Sequence, residues 1–209
     1  MGFKNLIWDF DGTILDTYPE ITRAFINVLK KDYGIEYDYD RAYSLAKASI
    51  SFCIESLANE FNIKTEEFSE NFKKRYFGEL NFEGKPFEGV EKILKYVSKR
   101  GANFLITHRG SESLNEFLIR NDFKKYFIEI VSSDANFPLK PDPASFNYII
   151  DKYKLKKEET LGVGDRILDI EAANSAGIKS CFFDSDDSKI GFADYNISKM
   201  KELLNILKK

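Results

Sequence analysis

The chain has little of the chemistry that soft metal sites, disulfide scaffolds and membrane spans require. Its 209 residues include one histidine and two cysteines, and neither Cys53 nor Cys181 has a partner at metal-ligand spacing. No apolar run approaches the ~20 residues that cross a bilayer. Asp9 and Asp11 interrupt the only N-terminal stretch that could serve as a secretory signal. We therefore expect a cytoplasmic protein with two reduced, buried thiols.

The chain also has no excess of positive charge. Lysine and arginine number 31 against 34 aspartates and glutamates, which gives a net charge of −3 and a pI near 5.5. This balance argues against nucleic acid and anionic membranes as partners. Hydrophobic residues make up 43% of the chain, which is enough to build a core, so the composition is that of a globular protein.

Short apolar runs alternate with amphipathic stretches along most of the chain. The apolar runs are typical of buried strands followed by a turn, and they cover residues 3–8, 104–106, 128–131, 160–163 and 180–183. The helical patterns cover residues 90–99, 112–121, 143–153, 169–176 and 200–207. This alternation predicts an α/β fold with a Rossmann-like parallel sheet and helices on both faces.

Residues 17–80 break the alternation, because their apolar side chains recur only at helical spacing. Thr17 and Glu20 fit a capping box at the start of the first helix. Thr65 is a candidate N-cap for the last one. The aromatic side chains of this region are expected mostly in a core, and they include Phe25, Phe52, Phe61, Phe72 and Tyr76.

The length exceeds that of one simple domain but does not allow two large ones. We predict an α/β core domain made of residues 1–15 and 84–209. Residues 16–83 then form an inserted all-helical cap domain.

Polar residues follow the ends of the predicted strands, where ligands bind in open α/β sheets. Asp9 and Asp11 end the first strand, and their spacing on extended backbone projects both carboxylates to the same side. Two carboxylates held close repel each other, so they require a nearby cation or a shared proton. Gly12 permits a sharp turn directly after them.

Later strand ends add a hydroxyl, an ammonium and two more acids, which are Thr107, Lys140, Asp165 and Asp169. Four acids without a histidine or cysteine cluster favour a hard cation such as Mg²⁺ over zinc. A phosphate dianion would be repelled from such a site without the metal and Lys140. The set therefore suits phosphoryl transfer, which depends on positioning and charge neutralisation.

Four motifs in order resemble those of the haloacid dehalogenase superfamily, and they look most like its phosphoglycolate-phosphatase-like branch. They are Asp9-Phe-Asp11-Gly-Thr, Thr107, Lys140-Pro-Asp-Pro and Gly164-Asp165-xxx-Asp169. The resemblance covers essentially the whole chain, because that branch carries its cap domain where the helical insert lies. It implies a Mg²⁺-dependent phosphatase that acts on a small phosphorylated metabolite. A monomer and a homodimer both remain open.

The resemblance also implies roles for the residues that carry it. Asp9 would be the nucleophile that becomes phosphorylated, and Asp11 would protonate the leaving alcohol and then activate water. Thr107 and Lys140 would hold phosphate oxygens, and Lys140 would also pair with Asp9. His108 stands where many relatives carry Asn, and its position at the phosphate end makes it a candidate substrate contact.

The metal ligands implied by the resemblance come from the same strand ends. Mg²⁺ would lie between Asp9, the backbone carbonyl of Asp11 and Asp165. Asp169 would be a further ligand or would orient a bound water; as an alternative, it is an ordinary helix N-cap.

Three other functions are weighed against a phosphatase. A phosphomutase of the same superfamily would return the phosphate to a sugar, although residues 14–17 look more like the phosphatases. Dehalogenases of the superfamily lack the second acid, so Asp11 speaks against that activity. The sequence contains no feature that excludes a regulatory binding protein with an incidental phosphatase site.

Overall fold

A computed structural model describes residues 2–79, 84–185 and 193–208. The chain divides into two compact units, residues 1–15 with 86–209 and residues 16–85. Every helix within the described ranges is too short or too polar to span a bilayer.

Eight strands lie within the described residues. They are β1 (Asn5–Trp8), β2 (Leu15–Asp16), β3 (Lys85–Pro86), β4 (Asn103–Ile106), β5 (Phe127–Val131), β6 (Thr160–Gly164), β7 (Lys179–Phe183) and β8 (Tyr195–Ile197). Six of them form one sheet in the order β5-β4-β1-β6-β7-β8, and every neighbouring pair is parallel. Strands β2 and β3 pair separately.

Nine α-helices accompany the strands in the same part of the chain. They are α1 (Tyr18–Tyr33), α2 (Tyr39–Ala48), α3 (Ile50–Glu60), α4 (Thr65–Lys73), α5 (Val90–Ser98), α6 (Ser111–Arg120), α7 (Ala144–Tyr153), α8 (Ile167–Ser175) and α9 (Met200–Leu207). A π-helical segment, Lys74–Glu79, continues α4.

The large sheet confirms the predicted α/β class. All five predicted strands are present, with bounds that differ from the prediction by at most two residues. Strand β8 was not predicted, because it has only three residues and its middle residue, Asn196, is exposed. It pairs with β7, where Cys181 lies opposite Tyr195.

The sheet is buried on both faces, as its continuous apolar strands predict. On one face, side chains of β1 and β4 pack with those of α7 and α8 in a cluster that contains Ile7, Phe104, Ile106, Phe146, Ile149, Ala172 and Ala173. On the other face, the Trp8 indole donates to Asn103 Oδ1, and Asn103 Nδ2 donates to the carbonyl of Leu94 on α5. These layers fix the strand ends that carry the polar residues.

The second unit has a core of its own, built from α1–α4 and the π-helical segment. Phe25 stacks on Phe72 with ring centroids 4.1 Å apart, and Phe72 stacks on Tyr76. Aromatic stacking of this kind adds about 0.5–1.5 kcal/mol per pair beyond the burial of area. Phe52 differs from the expectation, because 51% of its surface is exposed.

Two predicted caps in this unit are wrong. Thr17 is the N-cap residue of α1, but its backbone is helical (φ −100°, ψ −23°) and its side chain makes no cap hydrogen bond. A capping side chain normally requires extended backbone at that position, so the Thr17–Glu20 capping box does not form. Thr65 is the first helical residue of α4, and Lys64 takes the N-cap position.

Candidate active site

Asp9 and Lys140 form a buried ion pair at the carboxyl end of β1. Lys140 Nζ lies 2.5 Å from Asp9 Oδ1 and 2.5 Å from Asp169 Oδ1. It also donates to the backbone carbonyl of Ile106 at 3.3 Å. None of the three charged side chains exposes more than 3% of its surface. One ammonium therefore bridges two carboxylates that come from different segments, the end of β1 and helix α8.

The surroundings shift the pKa values of Asp9, Asp169 and Lys140 in different directions. Burial, and then repulsion by Asp169, raises the pKa of Asp9 from 3.8 to about 6. Burial acts in the same direction on Asp169, but attraction by Lys140 outweighs it and lowers the Asp169 pKa. Burial opposes the charge on Lys140, yet the two carboxylates outweigh it and raise the Lys140 pKa. Lys140 is therefore a permanent ammonium at neutral pH.

Three carboxylates converge at this point, from Asp9, Asp165 and Asp169. Each offers an oxygen within 4.8 Å of the others. Asp165 Oδ1 accepts from the hydroxyl of Thr13 at 3.0 Å, which ties the turn after β1 to the end of β6. Asp9 Oδ2 is buried and accepts no hydrogen bond within the described residues. Such an oxygen is ready to bind a cation or to attack an electrophile, so the donor set fits Mg²⁺.

Close approach of β6 to α8 brings Asp169 into the cluster. A side chain at Gly164 would place its Cβ 2.2 Å from the Asp169 Cβ, so only glycine fits there. Helix α8 begins at Ile167, two residues before its predicted start. Asp169 is accordingly not the N-cap; it lies at the third helical position, where its Oδ2 accepts from the backbone N–H of Arg166 at 3.0 Å.

Asp11 has a different partner, which the sequence reasoning missed. Gly12, directly after Asp11, has φ +81°, and Asp11 does not belong to the acidic cluster of Asp9, Asp165 and Asp169 found among the described residues. Arg109 holds Asp11 with Nη2 2.5 Å from Oδ1 and Nε 3.1 Å from Oδ2. The two neighbouring acids of the first motif are therefore compensated by two separate cations, Lys140 and Arg109.

Thr107 and His108 shape the end of β4. The Thr107 hydroxyl accepts from the backbone N–H of Arg109 at 3.1 Å. His108 Nε2 accepts from the backbone N–H of Lys140 at 2.9 Å. Burial, then the charges of Lys140 and Arg166, lower the His108 pKa to about 4, so the ring is neutral at pH 7. His108 thus braces the Lys140 loop, and its contact with substrate stays a prediction.

Arg166 adds a third cation beside the cluster. Its Nη2 lies 3.9 Å from Asp9 Oδ1 and its Nε lies 4.0 Å from Asp169 Oδ2. The side chain is 15% exposed. Its position next to Asp165 in sequence already places it at this edge of the sheet.

Comparison with known proteins assigns the arrangement to a family. Residues 6–183 match the model of the haloacid dehalogenase-like hydrolases. The chain belongs to that family. The parallel sheet, the helical insert and the order of the four motifs all agree with the membership.

Three relatives of this hydrolase illustrate the range within the family. It is 30% identical to the phosphorylated carbohydrates phosphatase of Thermotoga maritima, over 97% of each chain. It is 27% identical to the phosphoglycolate phosphatase of Vibrio parahaemolyticus, over 85% of this chain and 82% of the relative. The crystal structure of a hydrolase from Streptococcus pneumoniae is 32% identical over the full length of both chains, with a TM-score of 0.68.

Proposed function

We propose that this hydrolase is a Mg²⁺-dependent phosphatase that hydrolyses a small phosphate monoester through an aspartyl-phosphate on Asp9. The observation that carries the proposal is the state of the Asp9 carboxylate. One oxygen is held by the Lys140 ammonium and the other, though buried, has no donor within the described residues. The named phosphatases among its relatives support the same reaction class.

In the first half-reaction, Asp9 Oδ2 attacks the phosphorus and the bond from phosphorus to the ester oxygen breaks. Lys140 keeps Asp9 ionised and offers positive charge to the phosphoryl oxygens. The Thr107 hydroxyl, 3% exposed at the end of the neighbouring strand, is a further donor to them. Asp11 gives its proton to the departing alkoxide, so an alcohol leaves and Asp9 carries the phosphoryl group.

In the second half-reaction, Asp11 takes a proton from water, and the water oxygen attacks the phosphorus. The bond to Asp9 breaks, inorganic phosphate leaves and the Asp9 carboxylate is regenerated. Asp9, Asp165 and the backbone carbonyl of Asp11 would hold Mg²⁺, which would supply charge neutralisation for the phosphoryl oxygens. Asp169 contacts Lys140, so its task is to hold that ammonium in place.

The proposal is tested by phosphate release. We expect a panel of phosphorylated metabolites to yield inorganic phosphate with Mg²⁺ present, no release in excess chelator, and full recovery when Mg²⁺ is restored. Conversion of a sugar phosphate to an isomer without phosphate release identifies a phosphomutase instead. Full activity in excess chelator contradicts the metal assignment.

Mg²⁺ affinity is expected to fall as the pH drops through about 6. The pKa of Asp9 is raised above 3.8 to about 6, so the metal-free carboxyl gains a proton below that pH and must lose it to bind the ion. Calorimetric titration with Mg²⁺ at pH 7.5 and pH 5.0 measures the change in affinity. At pH 5.0, one unit below the Asp9 pKa, we expect the affinity to be about tenfold weaker than at pH 7.5, because one proton must leave for the ion to bind. Equal Mg²⁺ affinity at the two pH values contradicts the raised pKa of Asp9 or its place as a metal ligand.

A further inference from the structure

Arg166 occupies a position in helix α8 that suits a different type of residue. It is the N-cap of the helix, where a side-chain oxygen usually accepts from a backbone N–H of the first turn. An arginine side chain carries only donors, so it cannot cap the helix in this way. Its positive charge also lies at the helix terminus where the dipole favours anions. Arginine therefore costs α8 some stability, which points to a role outside the helix.

The guanidinium of Arg166 lies beside the acidic cluster. Its Nη2 is 3.9 Å from Asp9 Oδ1, and its Nε is 4.0 Å from Asp169 Oδ2. Both separations are longer than a hydrogen bond, so the attraction is that of charges at a distance. Burial is the largest influence on the pKa values of the two carboxyls and raises them, and the charge of Arg166 opposes that rise at each. Since only 15% of the Arg166 side chain is exposed, water and salt screen this charge weakly.

Arg166 also changes the charge balance of the site. Within the described residues, the four carboxylates of the motifs are accompanied by three cations, Lys140, Arg109 and Arg166. Lys140 and Arg109 donate hydrogen bonds directly to the carboxylates that they compensate. Arg166 instead adds its charge, without a hydrogen bond to Asp9, at the carboxylate that would meet both a divalent cation and a phosphoryl group. A positive charge there repels the cation and attracts the phosphoryl oxygens.

We propose that Arg166 sets the balance between cation and anion at this site: it weakens the binding of Mg²⁺ to the carboxylates and strengthens the binding of a phosphoryl group beside Asp9. Arg166 is thus an affinity-determining residue for both ligands, and its charge performs the task. Phosphoryl transfer benefits directly, because positive charge around the moving group lowers the barrier. The inference rests on the Mg²⁺-dependent phosphatase function proposed above.

The test measures the two affinities separately, at pH 7.5 and low ionic strength, where arginine is charged and screening is least. Calorimetric titration of the metal-free protein with Mg²⁺ gives the first affinity. Titration of the Mg²⁺-saturated protein with inorganic phosphate gives the second. In Arg166→Ser we expect Mg²⁺ to bind about 10-fold more tightly and phosphate to bind about 10-fold more weakly than in wild type. Serine is a favoured N-cap residue, so α8 should stay intact in this variant.

Three further variants complete the design. Arg166→Lys keeps the charge, so both affinities should lie closer to those of wild type than the Arg166→Ser values do. Arg166→Gln keeps most of the side-chain length without the charge, and it gives the same comparison if Arg166→Ser does not fold. Arg120→Gln removes an exposed arginine of α6 that pairs with Glu116, and it should change neither affinity. Thermal unfolding followed by circular dichroism checks the fold of every variant.

The opposite signs of the two changes distinguish an effect of charge from damage to the site, because damage weakens the binding of both ligands. In a folded Arg166→Ser or Arg166→Gln, an unchanged affinity for either ligand, or a loss of both, overturns the role of Arg166 and leaves the phosphatase proposal intact. Wild-type protein that binds neither Mg²⁺ nor phosphate contradicts the phosphatase proposal itself.

Discussion

Asp9→Asn abolishes phosphate release, with an expected loss of at least about 10³-fold in kcat, since removal of a covalent nucleophile is among the largest single losses known in enzymes. The substitution keeps the shape of the side chain and its hydrogen bond from Lys140 but removes the nucleophilic charge. Lys140 retains Asp169 as a partner, so the fold should persist. Phosphate release under saturating substrate and Mg²⁺ measures the effect.

A matched control is Asp151→Asn, which makes the same exchange at an exposed position of α7 and should retain wild-type activity. Circular dichroism checks that Asp9→Asn is folded, so that the loss of activity reflects the missing nucleophile. Mass spectrometry of the same sample checks that the introduced amide has not deamidated back to aspartate. An intact variant that keeps more than a few per cent of the rate removes the covalent mechanism.

Asp11→Asn should stall the enzyme as its phosphorylated form. The amide can neither protonate the alkoxide nor activate water, and loss of a general acid–base group slows turnover by about 10²–10⁴-fold. With 4-nitrophenyl phosphate the leaving group needs little protonation, so Asp9 is still phosphorylated. We expect one equivalent of 4-nitrophenolate in a rapid burst, followed by slow turnover.

The phosphorylated species identifies the residue. Rapid acid quench and peptide mass spectrometry should find the added phosphoryl group on the peptide that contains Asp9. Steady-state turnover within about 5-fold of wild type contradicts the acid–base role of Asp11. A burst of 4-nitrophenolate without a phosphorylated Asp9 peptide contradicts the aspartyl-phosphate intermediate.

The sequence predicts the core of the fold well because buried parallel strands are short apolar runs, a pattern that few other secondary-structure elements share. Residues 160–163, for example, were predicted as a strand, and β6 covers Thr160–Gly164. Prediction was weaker where side-chain pattern does not decide the geometry. Strand β8 depends on its pairing with β7, and the Thr17 cap depends on a backbone angle that no local pattern reports.

For the site, the motifs predicted which residues meet and that Lys140 pairs with Asp9, but not that Asp169 shares Lys140 or that Arg109 holds Asp11. Lys140, Asp9 and Asp169 come from three distant segments, which the parallel sheet brings to one edge, as the alternation of strands and helices indicated. Arg109 carried one usable signal: two adjacent acids need a counter-charge, and Arg109 is a cation just beyond a strand end. Its fork on Asp11 joins residues 98 positions apart in the chain, so only the three-dimensional structure identifies it.

The proposed mechanism requires the carboxylates of Asp9 and Asp165 to share an ion in front of a phosphoryl group. The most direct measurement is a crystal structure grown with Mg²⁺ and beryllium fluoride, which mimics an aspartyl-phosphate. We predict a beryllium–oxygen bond to Asp9 and a Mg²⁺ ion coordinated by Asp9 and Asp165. A fluoroberyllate bound elsewhere, or a Mg²⁺ ion that avoids both carboxylates, contradicts the account.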